Sequence, residues 1–97
     1  MLLPSALATL IDLSPNDPKL YYNKALLYWY NSQNDLALQT FRKAINLKPD
    51  YRDAYYGIYV FDADMKKYAE AKNILTEYLN QVNGKDTEFI KLRNELK

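Results

Sequence analysis

Ninety-seven residues, 48% hydrophobic and 26% charged, suit one small domain with a single core or one short stack. The 13 basic and 12 acidic side chains leave a net charge of +1 and are scattered along the chain. Nucleic acid is therefore not an expected partner, since phosphate binding calls for a basic patch or stripe. With no Cys and no His, disulfides, thiolate metal sites and the commonest general base are excluded, which leaves carboxylates, Lys and Tyr for any chemistry; no catalytic, metal or cofactor site is expected. These numbers assign no compartment.

In chain order, "MLLPSALATLIDL" is apolar enough to raise the question of a targeting segment. It lacks a basic start, Asp12 interrupts it, and it falls short of the roughly 20 apolar residues that cross a bilayer. It reads as an amphipathic helix near 2–13, and no membrane insertion by this segment is expected. Further helices are expected near 18–31, 34–47, 52–64, 67–82 and 86–97. Only 2 Gly and 4 Pro leave little material for hairpins. Asp17 or Asn16 can cap the helix that opens with Pro18, and Asp50 the one that follows Pro49. Pro49 stops the preceding helix, because its ring clashes with the turn before it and it lacks an N–H. Asn83-Gly84 is expected to end a helix in a left-handed conformation, after which Asp86 restarts the chain.

The chain repeats itself. "PKLYYNKALLYWYNSQNDLALQTFRKAINLKP" aligns with "RDAYYGIYVFDADMKKYAEAKNILTEYLNQVN" at an offset of 34, which pairs Tyr21 with Tyr55, Tyr22 with Tyr56, Ala37 with Ala71 and Phe41 with Leu75. Pro15 and Pro49 stand at the same spacing. One period earlier, Leu3, Leu7 and Leu10 fall where Ala37, Phe41 and Ala44 stand; one period later, Phe89 and Leu92 fall under Tyr55 and Ile58. The expected organisation is one domain over 1–97. Residues 1–14 supply the second helix of a partial unit, 18–51 and 52–85 are full units, and 86–97 is a capping helix or the first helix of another unit.

A 34-residue, two-helix period resembles the tetratricopeptide repeat. In the first full unit Tyr21 takes the place of the signature Trp. Ala25 is the small residue, Tyr28 the second aromatic, and Ala37, Phe41, Ala44 and Pro49 follow in step. In the second, Tyr55, Ile58, Tyr68 and Ala71 fit, but Tyr59 replaces a small residue, Asp62 an aromatic, Tyr78 an Ala and Asn83 the Pro. The resemblance implies an all-α helix-turn-helix solenoid of about six antiparallel helices in a right-handed superhelical stack. Its small residues allow helices to cross at about 8–10 Å.

The resemblance further implies a non-catalytic protein–protein interaction module that receives a peptide or a partner helix on the concave face built by the first helix of each unit. The inward positions are Lys19, Tyr22, Asn23, Leu26, Trp29 and Tyr30, followed by Asp53, Tyr56, Gly57, Val60 and Asp64. Tyr and Trp suit recognition, offering large rigid surface with one polar atom. The competing expectation is that these rings pack between helices or against 86–97. The Lys, Asn and Arg clamp by which some family members hold carboxylate ends is absent, since Tyr22, Leu26, Asp53 and Gly57 occupy its places. Asp62 and Asp64 lie two apart and point to different sides of a helix, which makes them a solvated helix end and not a hydrolytic pair. "KPDYRDAYYGIYVF" is also similar to repeat segments appended to bacterial O-antigen polymerase or ligase-like membrane proteins, which implies a piece of a longer, polysaccharide-assembling protein. A structural spacer, or self-association through the end helices at Leu3 and Leu7, is the alternative to groove binding.

Overall fold

The computed structural model of the chain describes residues 15–96, so the expected helix at 2–13, with Leu3, Leu7 and Leu10, lies outside the described residues. These contain five helices and no strand: α1 (Pro18–Tyr30), α2 (Asn34–Leu47), α3 (Arg52–Asp64), α4 (Tyr68–Gln81) and α5 (Thr87–Glu95). The architecture is all-α, and the chain divides into two compact units with the boundary between Ala54 and Tyr55, inside α3.

In the first unit α1 and α2 form a helical hairpin. The α1 start is fixed by Asp17, whose carboxylate accepts from the Lys19 N–H at 3.0 Å, with Pro18 in the first turn where no N–H is needed. Ala25, on α1, and Ala37, Phe41, Ala44 and Ile45, on α2, are buried. Alanines on both helices let the backbones come close, and the Phe41 ring fills the space beside them, 5.9 Å from that of Tyr22. The α2 end follows from Pro49: Lys48 before it is extended (φ −137°, ψ 90°), as a residue preceding proline is pressed to be. Asp50 lies in the turn, and Tyr51, not Asp50, immediately precedes α3. The Tyr51 carbonyl takes the Ala54 N–H at 3.1 Å.

The second unit is built around aromatic rings. Tyr55, Ile58 and Phe61 of α3, Ala71, Ile74, Leu75, Tyr78 and Leu79 of α4, and Phe89 of α5 are buried. Tyr78 meets Tyr55 edge-on at 5.2 Å and Phe89 at 4.2 Å. Large Tyr78 thus stands where the repeat pattern calls for Ala because Phe89 arrives from α5 to share its ring surface. The α5 start is capped by Asp86, whose carboxylate accepts from the Phe89 N–H at 3.2 Å.

The period is visible in the hydrogen bonds. At the end of α1 the Ser32 N–H donates to the Trp29 carbonyl (2.9 Å) and the Gln33 N–H to that of Tyr28 (2.8 Å). At the end of α3 the Lys66 N–H donates to Ala63 (3.0 Å) and the Lys67 N–H to Asp62 (2.8 Å). Each donor and acceptor is displaced by 34 residues. The pattern is a Schellman motif, and the left-handed residue it requires is Ser32 (φ 63°) in one copy and Lys66 (φ 59°) in the other. Neither is glycine.

Two further expectations are corrected. No glycine has a positive φ, and among the described residues the left-handed non-glycine ones are Ser32 and Lys66, so Asn83-Gly84 does not end α4 by a left-handed residue. There Val82 stays right-handed (φ −116°, ψ −63°), and the Tyr78 carbonyl receives the N–H groups of both Val82 and Asn83. Gly84 serves by close approach, since a Cβ on it would stand 3.2 Å from the Leu79 carbonyl oxygen. Asp62 is not a solvated helix end: it is 5% exposed, while Asp64 faces solvent. The helix turns Asp62 into the unit, and among the described residues no buried side-chain polar atom lacks a hydrogen-bond partner.

Candidate functional site

On α1, Tyr22, Leu26, Trp29 and Tyr30 recur at i, i+4, i+7 and i+8, and so share one face of the helix. Leu26, Trp29 and Tyr30 line an open recess of about 290 Å³. Tyr30 is 71% exposed, and Trp29 and Leu26 are half-buried. Lys19, at the start of the helix, faces solvent, and Asn23 is half-buried; neither lines the recess among the described residues.

At the other end of this line the rings of Tyr22 and Tyr51 stand 5.8 Å apart at 51°. Both are half-buried, and the neighbouring Asp53 and Asp17 are exposed. Burial raises the Tyr22 phenol above its ordinary 10.0, and the charge of Asp53 adds to the effect. The Tyr51 phenol is raised by burial first, then by Asp53, Tyr22 and Asp17. Lys48 Nζ lies 5.4 Å from the Tyr51 ring centre, on an attractive cation–ring geometry. Tyr51 is absent from the surface expected from sequence. It sits in the turn between helices, where no helix-face argument reaches it; the only signal for it was its place immediately before a helix start.

In the second unit, Tyr56, Val60 and Asp64 recur at i, i+4 and i+8 along α3, and Gly57 beside them is buried. Tyr56 is 37% exposed, with its ring against Phe89 (6.3 Å) and Tyr59 (5.8 Å). The ring of Tyr56 is thereby shared with α5, in the manner of the competing expectation that these aromatics pack within the fold. The Tyr59 phenol is raised by burial, then by Tyr56 and Glu95. Among residues matched to the repeat pattern, Tyr21 and Tyr28 are half-buried. Tyr21 carries Lys43 Nζ at 5.9 Å and Tyr28 carries Lys24 Nζ at 5.4 Å. Tyr68, at the first position of α4, keeps 46% of its surface exposed.

Among the described residues no group of His, Cys, Asp and Glu is arranged to hold a metal ion. No helix among them is long and apolar enough to cross a membrane.

The family model of the tetratricopeptide repeat matches residues 18–51, the span of α1, α2 and the turn that follows. The chain carries a tetratricopeptide repeat. A curated relative, the protein O-mannosyl-transferase Tmtc3 of Drosophila melanogaster, is 32% identical over 78 residues. The match takes in 80% of this chain and spans 8% of the length of that protein. No solved structure gives a significant match. Tetratricopeptide repeats are in general non-catalytic protein–protein interaction modules, and one departure of the second unit from the repeat pattern, Tyr78, is a ring packed on Phe89.

Proposed function

We propose that this chain is a protein-interaction module whose partner lies along the face of α1 that carries Tyr22, Leu26, Trp29 and Tyr30. The observation that carries this reading is the line Tyr22, Leu26, Trp29, Tyr30, which ends in an open apolar recess with a tyrosine 71% exposed at its edge. An aromatic and aliphatic strip left open on a helix is where a partner gains most from contact, because Trp and Tyr bring large area at low conformational cost. The strip suits an extended peptide or one face of a helix. The second unit contributes less to the reading, since Tyr56 already shares its ring with Phe89.

The test is capture of peptides from a tiled array of the source proteome by the native chain and by a Leu26→Ser/Tyr30→Ser variant of unchanged helical circular dichroism. Peptides held by the native chain and released by the variant are expected. Retention of the same peptides by both would defeat the reading.

A second reading concerns the parent. The similarity to a protein named as an O-mannosyl-transferase, of which the matched part is a small fraction, favours these repeats being a non-catalytic segment of a longer sugar-transferring protein. On this reading the isolated chain transfers no mannose to a hydroxyl acceptor, and transfer activity in it would overturn the assignment.

A further inference from the structure

The α1 strip has two chemically different ends. At one lies the recess of Leu26, Trp29 and Tyr30, whose surface among the described residues is mainly apolar and aromatic. At the other lie two tilted phenol rings, Tyr22 and Tyr51, with centres 5.8 Å apart, and the exposed carboxylates of Asp53 and Asp17 belong to their surroundings. Ring faces carry negative potential and attract cations, and carboxylates beside them strengthen the attraction. The chain already demonstrates this at Tyr51, whose ring holds the Lys48 ammonium at 5.4 Å. An anionic partner group would meet two carboxylates there, and an apolar one would leave them to lose water without compensation.

We infer that the Tyr22 and Tyr51 rings, with Asp53 and Asp17, receive a Lys or Arg side chain of an extended partner segment whose apolar side chain fills the recess of Leu26, Trp29 and Tyr30. This rests on the interaction reading above and adds the chemistry of the partner to it. The helix sets the spacing. From Tyr22 to Tyr30 the helix rises about 12 Å, which about three to four residues of extended chain cover at about 3.3 Å each. The recognised pattern is therefore a cation and a large apolar residue separated by two or three positions. Asp17 is partly committed, since its carboxylate caps α1 through the Lys19 N–H. Asp53 is the main determinant of sign. Lys48 competes for the Tyr51 ring, so its removal favours the partner cation.

The experiment uses the whole chain and three synthetic dodecapeptides of identical Gly/Ser flanks, containing Lys-Ala-Ala-Leu, Gln-Ala-Ala-Leu or Glu-Ala-Ala-Leu. Fluorescence of Trp29, the single tryptophan, reports occupation of the recess, and NMR ring signals of Tyr22 and Tyr51 report the other end. The Lys peptide should bind about tenfold more tightly than the Glu peptide and shift both tyrosines. Lys48→Met should tighten it, and Asp53→Lys should reverse the order of the two. If all three peptides perturb Trp29 with equal affinity, the cation site is overturned while the interaction surface stands. Should no peptide perturb Trp29 at any concentration reached, both readings fall together.

Discussion

Replacing Lys66 by glycine should stabilise the protein. Lys66 has φ 59°, and an L-residue in the left-handed region brings its Cβ against its own carbonyl, at a cost of about 1–2 kcal/mol. Its side chain faces solvent, so glycine removes no core contact. Glycine does enlarge the freedom of the unfolded chain, which offsets about 0.4–1 kcal/mol. The difference leaves a gain of about 0.5–1 kcal/mol, or a rise in Tm of roughly 3–6 °C for a chain of this size. Thermal and urea unfolding followed by circular dichroism measure it, with Lys66→Ala as the control that loses the ammonium but retains the Cβ. Ser32→Gly should act alike at the equivalent turn of the first unit, where φ is 63°. A Lys66→Gly variant no more stable than Lys66→Ala would show that the Schellman turn carries no such strain.

Phe89→Ala should cost about 3–5 kcal/mol, as expected of a buried ring at the centre of an aromatic cluster. Urea unfolding should show Tyr56→Ala costing less, because that ring is partly exposed. Ala37→Leu should cost about 1–3 kcal/mol by forcing the hairpin apart, whereas Ala69→Leu, on an exposed position of α4, should stay within about 0.5 kcal/mol of the native value. Equal midpoints for those two variants would contradict the close crossing. Tyr22, Tyr51 and Tyr59 are all raised above 10.0, so the fold keeps their protons where the unfolded chain has begun to lose them. Their contribution is present below about pH 10 and is lost as pH rises through the higher folded values, so Tm should fall over that interval. Asp53→Asn should bring forward the phenolate absorbance of Tyr22 and Tyr51 and leave Tyr59 where it was.

The helices were legible because two local signals agree along the chain. Asp17-Pro18 and Asp86 announce starts, Pro49 announces a stop, and apolar spacing fills the intervals. The observed ends of α1 to α5 fall within two residues of the reading. The 34-residue period was legible because Tyr21 and Tyr55, Tyr22 and Tyr56, and Ala37 and Ala71 recur at that one offset. The turns were not. Sequence reasoning looks to glycine for a left-handed residue, and this chain places serine and lysine there while its Gly84 serves close approach. Asp62 misled because its neighbours Asp64, Lys66 and Lys67 suggest a solvated end, yet helical rotation alone carries it inside. The Tyr22 half of the ring pair could be read from helix spacing. Tyr51 belongs to a turn, where neither periodicity nor capping says which way a ring will lean.

The position of Trp29 also separates two questions about cooperativity. It belongs to the first unit, so its emission follows the loss of that unit alone, while helical ellipticity follows both. If the repeats melt as one body, the two midpoints coincide; if they behave as a short chain of coupled units, the indole signal departs from the helical one. A single indole thus turns a property of the whole array into the comparison of two curves from one sample.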